Sequence, residues 1–166
     1  MKVSEITTST VANYLRLDDA SDTLLTPILS VAKSYISSYT GIHDEKIVDM
    51  FYGNGEDVFI ASKHPFIAST LIVKIDGVAK TITTDYTVDA INGTITFMST
   101  PYENCEIEVS YSIGLDAYDE FFIVVLILCQ DMYDNRTYVV DNDKVNVVVK
   151  SILDMHCTNL LPTSEV

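Results

Sequence analysis

The residues that could do chemistry are scattered along this chain. Cys129 and the pair His156-Cys157 are its Cys/His grouping. Structural zinc sites take ligands in close pairs, C-x₂-C or H-x₃-H, and no such pair occurs here. His156 follows the face of Leu153 and is expected to pack or to line a rim. Cys129 lies inside the most apolar run, Phe121–Cys129, where burial raises a thiol's pKa and makes it inert. Serine, histidine and aspartate are all present, but no G-x-S-x-G elbow positions a nucleophile. Asp141-Asn142-Asp143 looks like the start of a calcium loop. The sixth loop position holds Asn146 instead of glycine, and the twelfth holds Ile152 instead of a bidentate glutamate. That cluster and Asp18/Asp19/Asp22 read as helix caps and solvated turns. Gly53-Asn54-Gly55 has no Lys-Ser/Thr after it and no following helix, so it reads as a turn and not as a phosphate cradle. The expectation is therefore no catalytic residue, no metal and no cofactor.

The elements around these residues fall into three stretches. Thr8, Ser9 or Thr10 caps a short helix through Arg16, with Val11, Tyr14 and Leu15 on one face. Asp18–Asp22 is a polar break. Ser21 or Asp22 then caps a longer helix in which Leu25, Ile28, Leu29, Ala32, Tyr35, Ile36 and Tyr39 recur at spacings of three and four. Pro27 fits only in its first turn, and Gly41 is a left-handed stop. From Ile47 to Ile113 the period changes to two. Leu71, Val73 and Ile75 alternate with polar or outward positions, as do Tyr86 and Val88, Ile95 and Phe97, and Ile107, Val109 and Tyr111. Asp76-Gly77 and Asn92-Gly93 read as tight hairpin turns. Five or six antiparallel strands with one buried face are expected, with Glu106 and Glu108 on the solvent face of the last strand, guarding an edge. After Gly114, Asp116 or Asp119 opens a third helix through Phe121–Tyr133, buried on most sides. A final helix carries Val145, Val148, Val149, Ile152 and Leu153 and ends at Asn159 and Pro162. The fold class is α+β: a small helical bundle from both chain ends (1–46 and 114–162), an inserted antiparallel β subdomain (47–113), and a tail (163–166).

Composition narrows the function classes. Hydrophobic residues make up 48% of 166, enough for a real core. The net charge is −14, with about −2 in 1–46, −6 in 47–113 and −6 in 114–166. Ten basic residues among twenty-four acids form no basic patch, which disfavours binding to nucleic acid through its phosphates. An acidic wall past which DNA slides is compatible with the same charge. Three well-separated cysteines and a polar Met1–Thr10 point to free thiols and a reducing compartment. The longest apolar run is nine residues, where a membrane helix needs about 20, so the chain is expected to be soluble. Ten tyrosines and no tryptophan suggest hydroxyls at half-wet contacts. Tyr35, Tyr39, Tyr86, Tyr111, Tyr118, Tyr133 and Tyr138 could place them at a subunit interface, with Tyr35, Tyr39, Tyr133 and Tyr138 the leading candidates and ordinary core edges as the alternative.

Three stretches together resemble the head–tail connector (adaptor, or head-completion) family of tailed bacteriophages. The first is Val11-Ala12-Asn13-Tyr14-Leu15-Arg16-Leu17-Asp18-Asp19, followed by the helix ending Tyr35-Ile36-Ser37-Ser38-Tyr39-Thr40-Gly41. The second is the β insertion: Pro65, Val73-Lys74-Ile75-Asp76-Gly77, Asp85-Tyr86-Thr87-Val88-Asp89, Asn92-Gly93-Thr94-Ile95-Thr96-Phe97 and Val109-Ser110-Tyr111-Ser112-Ile113-Gly114. The third is Ile127–Asn135 with Arg136, then a last helix and a Leu-Leu-Pro finish. The third helix departs from the family pattern: many members have proline at its entry, and this chain has Ala117-Tyr118-Asp119. The resemblance implies a non-enzymatic virion protein of the neck, assembled in the bacterial cytoplasm. It implies a homo-oligomeric ring, typically twelvefold, joining the portal protein to the tail or to a stopper or tail-completion layer, with DNA passing through its centre. Leu160, Leu161 and Pro162, apolar residues beyond the last helix, are then candidates for portal docking. The competing reading is a small non-catalytic protein-binding module.

Overall fold

The computed structural model describes residues 1–18, 22–135 and 146–157. The fold is α+β and divides into two compact units, Met1–His43 with Tyr118–Val166, and Asp44–Ala117.

The helical unit opens with a short 3-10 turn, Val3–Glu5. Helix α1 (Thr8–Leu15) starts one residue before the expected caps. Thr7 Oγ1 accepts from the Thr10 N–H, and Thr10 Oγ1 accepts in return from the Thr7 N–H, a reciprocal cap that satisfies two otherwise orphaned donors. Val11 and Ala12 are buried, whereas Tyr14 points outward. Arg16 ends the helix in the left-handed region at φ 57°. Helix α2 (Leu25–Thr40) buries Leu25, Leu29, Ala32, Ile36 and Thr40, a narrower stripe than the seven expected positions. Pro27 sits in its first turn, where its missing N–H breaks no helical bond. Gly41 closes the helix at φ 75° and donates to the Ser37 carbonyl. Helix α3 (Phe121–Asp134) makes its largest contact with α2. It buries Phe121, Val124, Val125, Leu126 and Cys129 but leaves Ile123 and Gln130 exposed, so one side is open. Neither expected aspartate caps it. Asp116 lies in a 3-10 turn, Leu115–Ala117, and Asp119 pairs with Lys2 at 2.8 Å. Helix α4 (Val147–Met155) is capped by Asn146, whose Oδ1 accepts from Val148 and Val149. It buries Val149 and Leu153, exposes Val148, and ends at Met155, before the expected Asn159.

The β unit contains seven strands, more than the five or six expected: β1 (Glu45–Tyr52), β2 (Val58–Ile60), β3 (Ile72–Ile75), β4 (Val78–Ala79), β5 (Tyr86–Asp89), β6 (Thr94–Phe97) and β7 (Glu106–Ile113). They form two antiparallel sheets with orders β1-β7-β3-β4 and β2-β6-β5. The alternating residues meet in one core, with Phe59, Val73, Tyr86, Ile95, Phe97, Ile107, Val109 and Tyr111 at its centre. Asp76-Gly77 is the expected two-residue hairpin, both residues having positive φ (48° and 78°). The Asn92-Gly93 turn is longer. Asp89 pairs with Thr94, so the loop has four residues, and only Gly93 has positive φ. The Asp89 carboxylate closes it by accepting from Ile91, Asn92 and the Asn92 side chain. These bonds, that from the Asn92 side chain foremost, hold its carboxyl below the ordinary value. A second correction concerns the acids. β7 lies inside its sheet between β1 and β3, so Glu106 and Glu108 guard no edge. Glu108 pairs instead with Lys74 at 2.7 Å.

Gly53 ends β1 for a steric reason. Its φ is not in the left-handed region, but a Cβ there would overlap the Tyr102 carbonyl oxygen and lie 2.8 Å from Cys105 Sγ. The Gly53→Ala variant is expected to lose about 1–3 kcal/mol of stability, measured by urea unfolding, while Gly55→Ala, with open space around it, pays only for its positive φ.

Candidate functional site

The Cys/His grouping does not assemble into a ligand set. His156 packs its ring edgewise on Tyr118 (4.8 Å) and Phe121 (5.3 Å), and its Nε2 meets Glu120 Oε1 at 2.6 Å. Cys157 Sγ donates to the Tyr39 carbonyl at 3.4 Å. Cys129 is fully buried, and that burial pushes its thiol up to about 11. Among the described residues, no three His, Cys, Asp or Glu side chains converge as metal ligands would. Asp141 and Asp143 lie outside the described residues.

The best-organised polar cluster lies in the β unit and joins residues far apart in sequence. Asp49 on β1 lies on the same inward side as Ile47 and Phe51. Its carboxylate accepts from Ser62 Oγ (2.6 Å), Ser62 N–H (2.8 Å) and Tyr111 Oη (2.8 Å). Tyr111, 1% exposed, also accepts from the Lys63 N–H at 3.0 Å. Burial pushes the Asp49 carboxyl up, but the Ser62 side-chain and backbone bonds and the Tyr111 bond outweigh it, and the group ends below the ordinary value. Burial likewise raises the Tyr111 phenol. Every donor and acceptor here is turned on another member of the cluster. The arrangement ties the Ser62–Lys63 segment to β1 and β7 and presents no free nucleophile.

The candidate interface tyrosines separate into different roles. Tyr39 Oη donates to Asp154 Oδ1 at 2.5 Å, tying α2 to α4; that bond, then burial and the Asp154 charge, push the phenol up to about 12. Tyr133 Oη donates to Asp22 Oδ2 at 3.0 Å, tying α3 to the segment that leads into α2. Tyr35 stacks at 5.9 Å on Tyr39 and keeps its outer side open. It belongs to a second stripe on α2 with Leu24, Ile28 and Val31, again spaced by four and three. Leu24, Val31 and Tyr35 in this stripe are 43%, 54% and 43% exposed. Tyr138, Leu160, Leu161 and Pro162 lie outside the described residues. One open cleft of about 500 Å³ adjoins the end of α1, lined by Arg16, Gln130, Tyr133 and Asp134 among others. Another of about 270 Å³ lies in the β unit beside Lys80, Asp85 and Tyr102.

No family model matches the chain, and no curated protein matches it. Among solved structures it is similar to a chain described as the neck of an empty GTA particle computed with C6 symmetry. The TM-score is 0.47 and the identity 14%, covering 99% of this chain and 95% of that one. A likeness of this degree describes a loosely shared chain trace and says nothing of partners.

The polar cluster makes the β unit sensitive to acid. A depressed carboxyl contributes stability above its unfolded pKa of about 4, and that contribution is lost as pH falls through the lower folded value. Thermal melts between pH 7 and 2 are expected to show a shallower acid loss for Asp49→Asn than for the parent chain. Tyr111→Phe, which strips a donor from Asp49 and an acceptor from the Lys63 N–H, is expected to cost about 1–3 kcal/mol at neutral pH.

Proposed function

We propose that this protein is a structural connector subunit of a tailed-phage neck. Copies would form a ring, twelvefold in the manner of the family it resembles, between the portal protein and the tail or the next connector layer. DNA would pass through without sequence-specific binding, and no catalysis would be involved. The working division is a discontinuous helical core (1–46 and 114–162), a β subdomain (47–113) and a tail (163–166).

The observation that carries this reading is the second apolar stripe of α2. A helix needs one apolar stripe to join its own core. Here α2 has two, the buried one through Leu25 and Ile36 and an open one through the exposed Leu24, Val31 and Tyr35 and the half-buried Ile28. The chain carries twenty-four acids, yet none lies within Leu25–Thr40. A long, acid-free apolar face on a strongly acidic protein suits contact with a neighbouring copy, where desolvated carboxylates would be costly. A heterologous contact of this kind closes into a ring when its rotation permits. Tyr35 leads the proposed interface, to which Tyr39, Tyr133 and Tyr138 are also assigned. The resemblance noted in the sequence supports the same assignment, and the acidic charge suits a channel wall that repels DNA.

Electron microscopy of the protein mixed with its portal is expected to show an added ring. The Val31→Asp/Tyr35→Asp variant should abolish that ring while leaving the melting temperature nearly unchanged, because both positions are exposed. Rings that persist in this variant would remove α2 from the interface. Docking through Leu160, Leu161 and Pro162 is tested separately: deletion of 159–166 should release the ring from the portal, and normal attachment of the truncated chain would refute that role.

A further inference from the structure

Sheet edges leave main-chain donors and acceptors unpaired, and proteins keep such edges short or charged to avoid pairing with strangers. Three of the four edges here are managed this way. β4 has two residues, β2 has three, and β5 has four and closes in Asp89. β1 is different. It is an edge strand of eight residues, and its outer face exposes Val48 (53%), Met50 (46%) and Tyr52 (64%).

The direction of its free main-chain groups follows from the ladder. Gly53 N–H donates to the Cys105 carbonyl at 2.9 Å, so that pair faces β7. Alternation along an antiparallel ladder then turns the groups of Phe51, Asp49 and Ile47 toward β7. Those of Lys46, Val48, Met50 and Tyr52 point outward. The residues opposite agree. Ser112, paired with Lys46, gives its carbonyl to the Ile67 N–H and its own N–H to Thr70 Oγ1, both at 2.8 Å. Glu106, paired with Tyr52, gives its carbonyl to the Asp76 N–H (2.8 Å) and its N–H to Asp76 Oδ1 (2.9 Å).

We propose that this edge is a self-pairing site, at which β1 of one copy adds antiparallel to β1 of a second copy about a two-fold axis at Asp49. In this register Lys46 faces the second copy's Tyr52, and Val48 faces its Met50, each pair occurring twice. All eight of these side chains lie on the outer face. Lys46 would lie over an aromatic ring whose own β7 neighbour is the exposed Glu106, so its charge finds both a π face and a carboxylate. On the inner face Ile47 meets Phe51, also twice. Asp49 opposite Asp49 is the one like-charge pair, and each carboxylate already accepts three hydrogen bonds. The occupant is a second copy because the strand, reversed, is its own complement: a cation at one end, an aromatic beside an acid at the other, and apolar residues between. The site is separate from the α2 stripe and does not depend on the connector reading.

Sedimentation velocity of the full chain over a concentration series should show a monomer–dimer equilibrium. Met50→Pro removes one outward N–H at an edge position that proline tolerates. It should weaken the dimer at least about tenfold with an unchanged circular dichroism spectrum. The register is read by oxidation: Val48→Cys/Met50→Cys should give a covalent dimer, and neither single variant should. A chain that stays monomeric overturns the proposal. So does a dimer indifferent to Met50→Pro, and so does efficient crosslinking of a single variant, which would fix another register. Ring-sized species indifferent to Met50→Pro would assign self-association to the helical unit, leaving the connector reading intact and this one refuted.

Discussion

The β unit depends on β7 being paired on both sides. This strand holds β1 along its full length and β3 along half of it, so its inward residues Ile107, Val109 and Tyr111 must fill the space above the sheet. Tyr111 carries the strictest demand. Its ring packs at 4.8 Å on Phe66, and burial leaves its hydroxyl without water. A buried hydroxyl without partners costs more than a typical bond gains. Asp49, Ser62 and the Lys63 N–H supply those partners, and in doing so they fix where the segment after β2 must run. The apolar core and the polar knot are thus one constraint, met by one residue.

The strands whose apolar residues fall on one face were legible in the sequence. The inward sets of β3, β5, β6 and β7 are those that alternation marks. β1 escaped because Ile47 and Phe51 point inward while Val48, Met50 and Tyr52 point outward, so apolar residues on both faces erase the period of two. The place of β7 was also hidden. Strand order follows from pairings across tens of residues, and the acids of an interior strand look like the acids of an edge. The polar knot joins residues 13, 49 and 62 positions apart. Its one local sign is an aspartate between the inward apolar residues Ile47 and Phe51 of β1. In the helical unit, α2 and its Gly41 stop were plain, and the inertness expected of Cys129 follows from its burial. The cap of α1 moved to Thr7, whose hydroxyl exchanges bonds with Thr10, and α4 is capped by Asn146.

The tyrosines differ in where their hydroxyls turn. Tyr39 and Tyr133 turn their hydroxyls to Asp154 and Asp22, so each is a tie within the helical unit. Both partners are aspartates placed next to helix ends, and each pair joins elements far apart in sequence. Tyr35, one turn before Tyr39, shares its ring contact but faces outward. The difference comes from helix phase: Tyr39 lies nearer the buried stripe than Tyr35 does.

Charge then explains where contacts with other molecules can form. At −14, two copies repel until salt screens them, so any surface that meets another copy must keep its carboxylates away from the contact. The two proposed surfaces of this chain would do so by different means. On α2 the sequence omits acids altogether, and recognition there would rest on side-chain fit, which a single charge disrupts. On β1 the acids remain, but Asp49 is turned inward and held as a carboxylate by three hydrogen bonds, while Lys46, Val48, Met50 and Tyr52 face out. Recognition there would rest on main-chain groups, which tolerate many side chains but fail when one N–H is lost. On these two proposals, the same acidic protein would hold one surface that is specific through its side chains and another that is specific through its backbone direction.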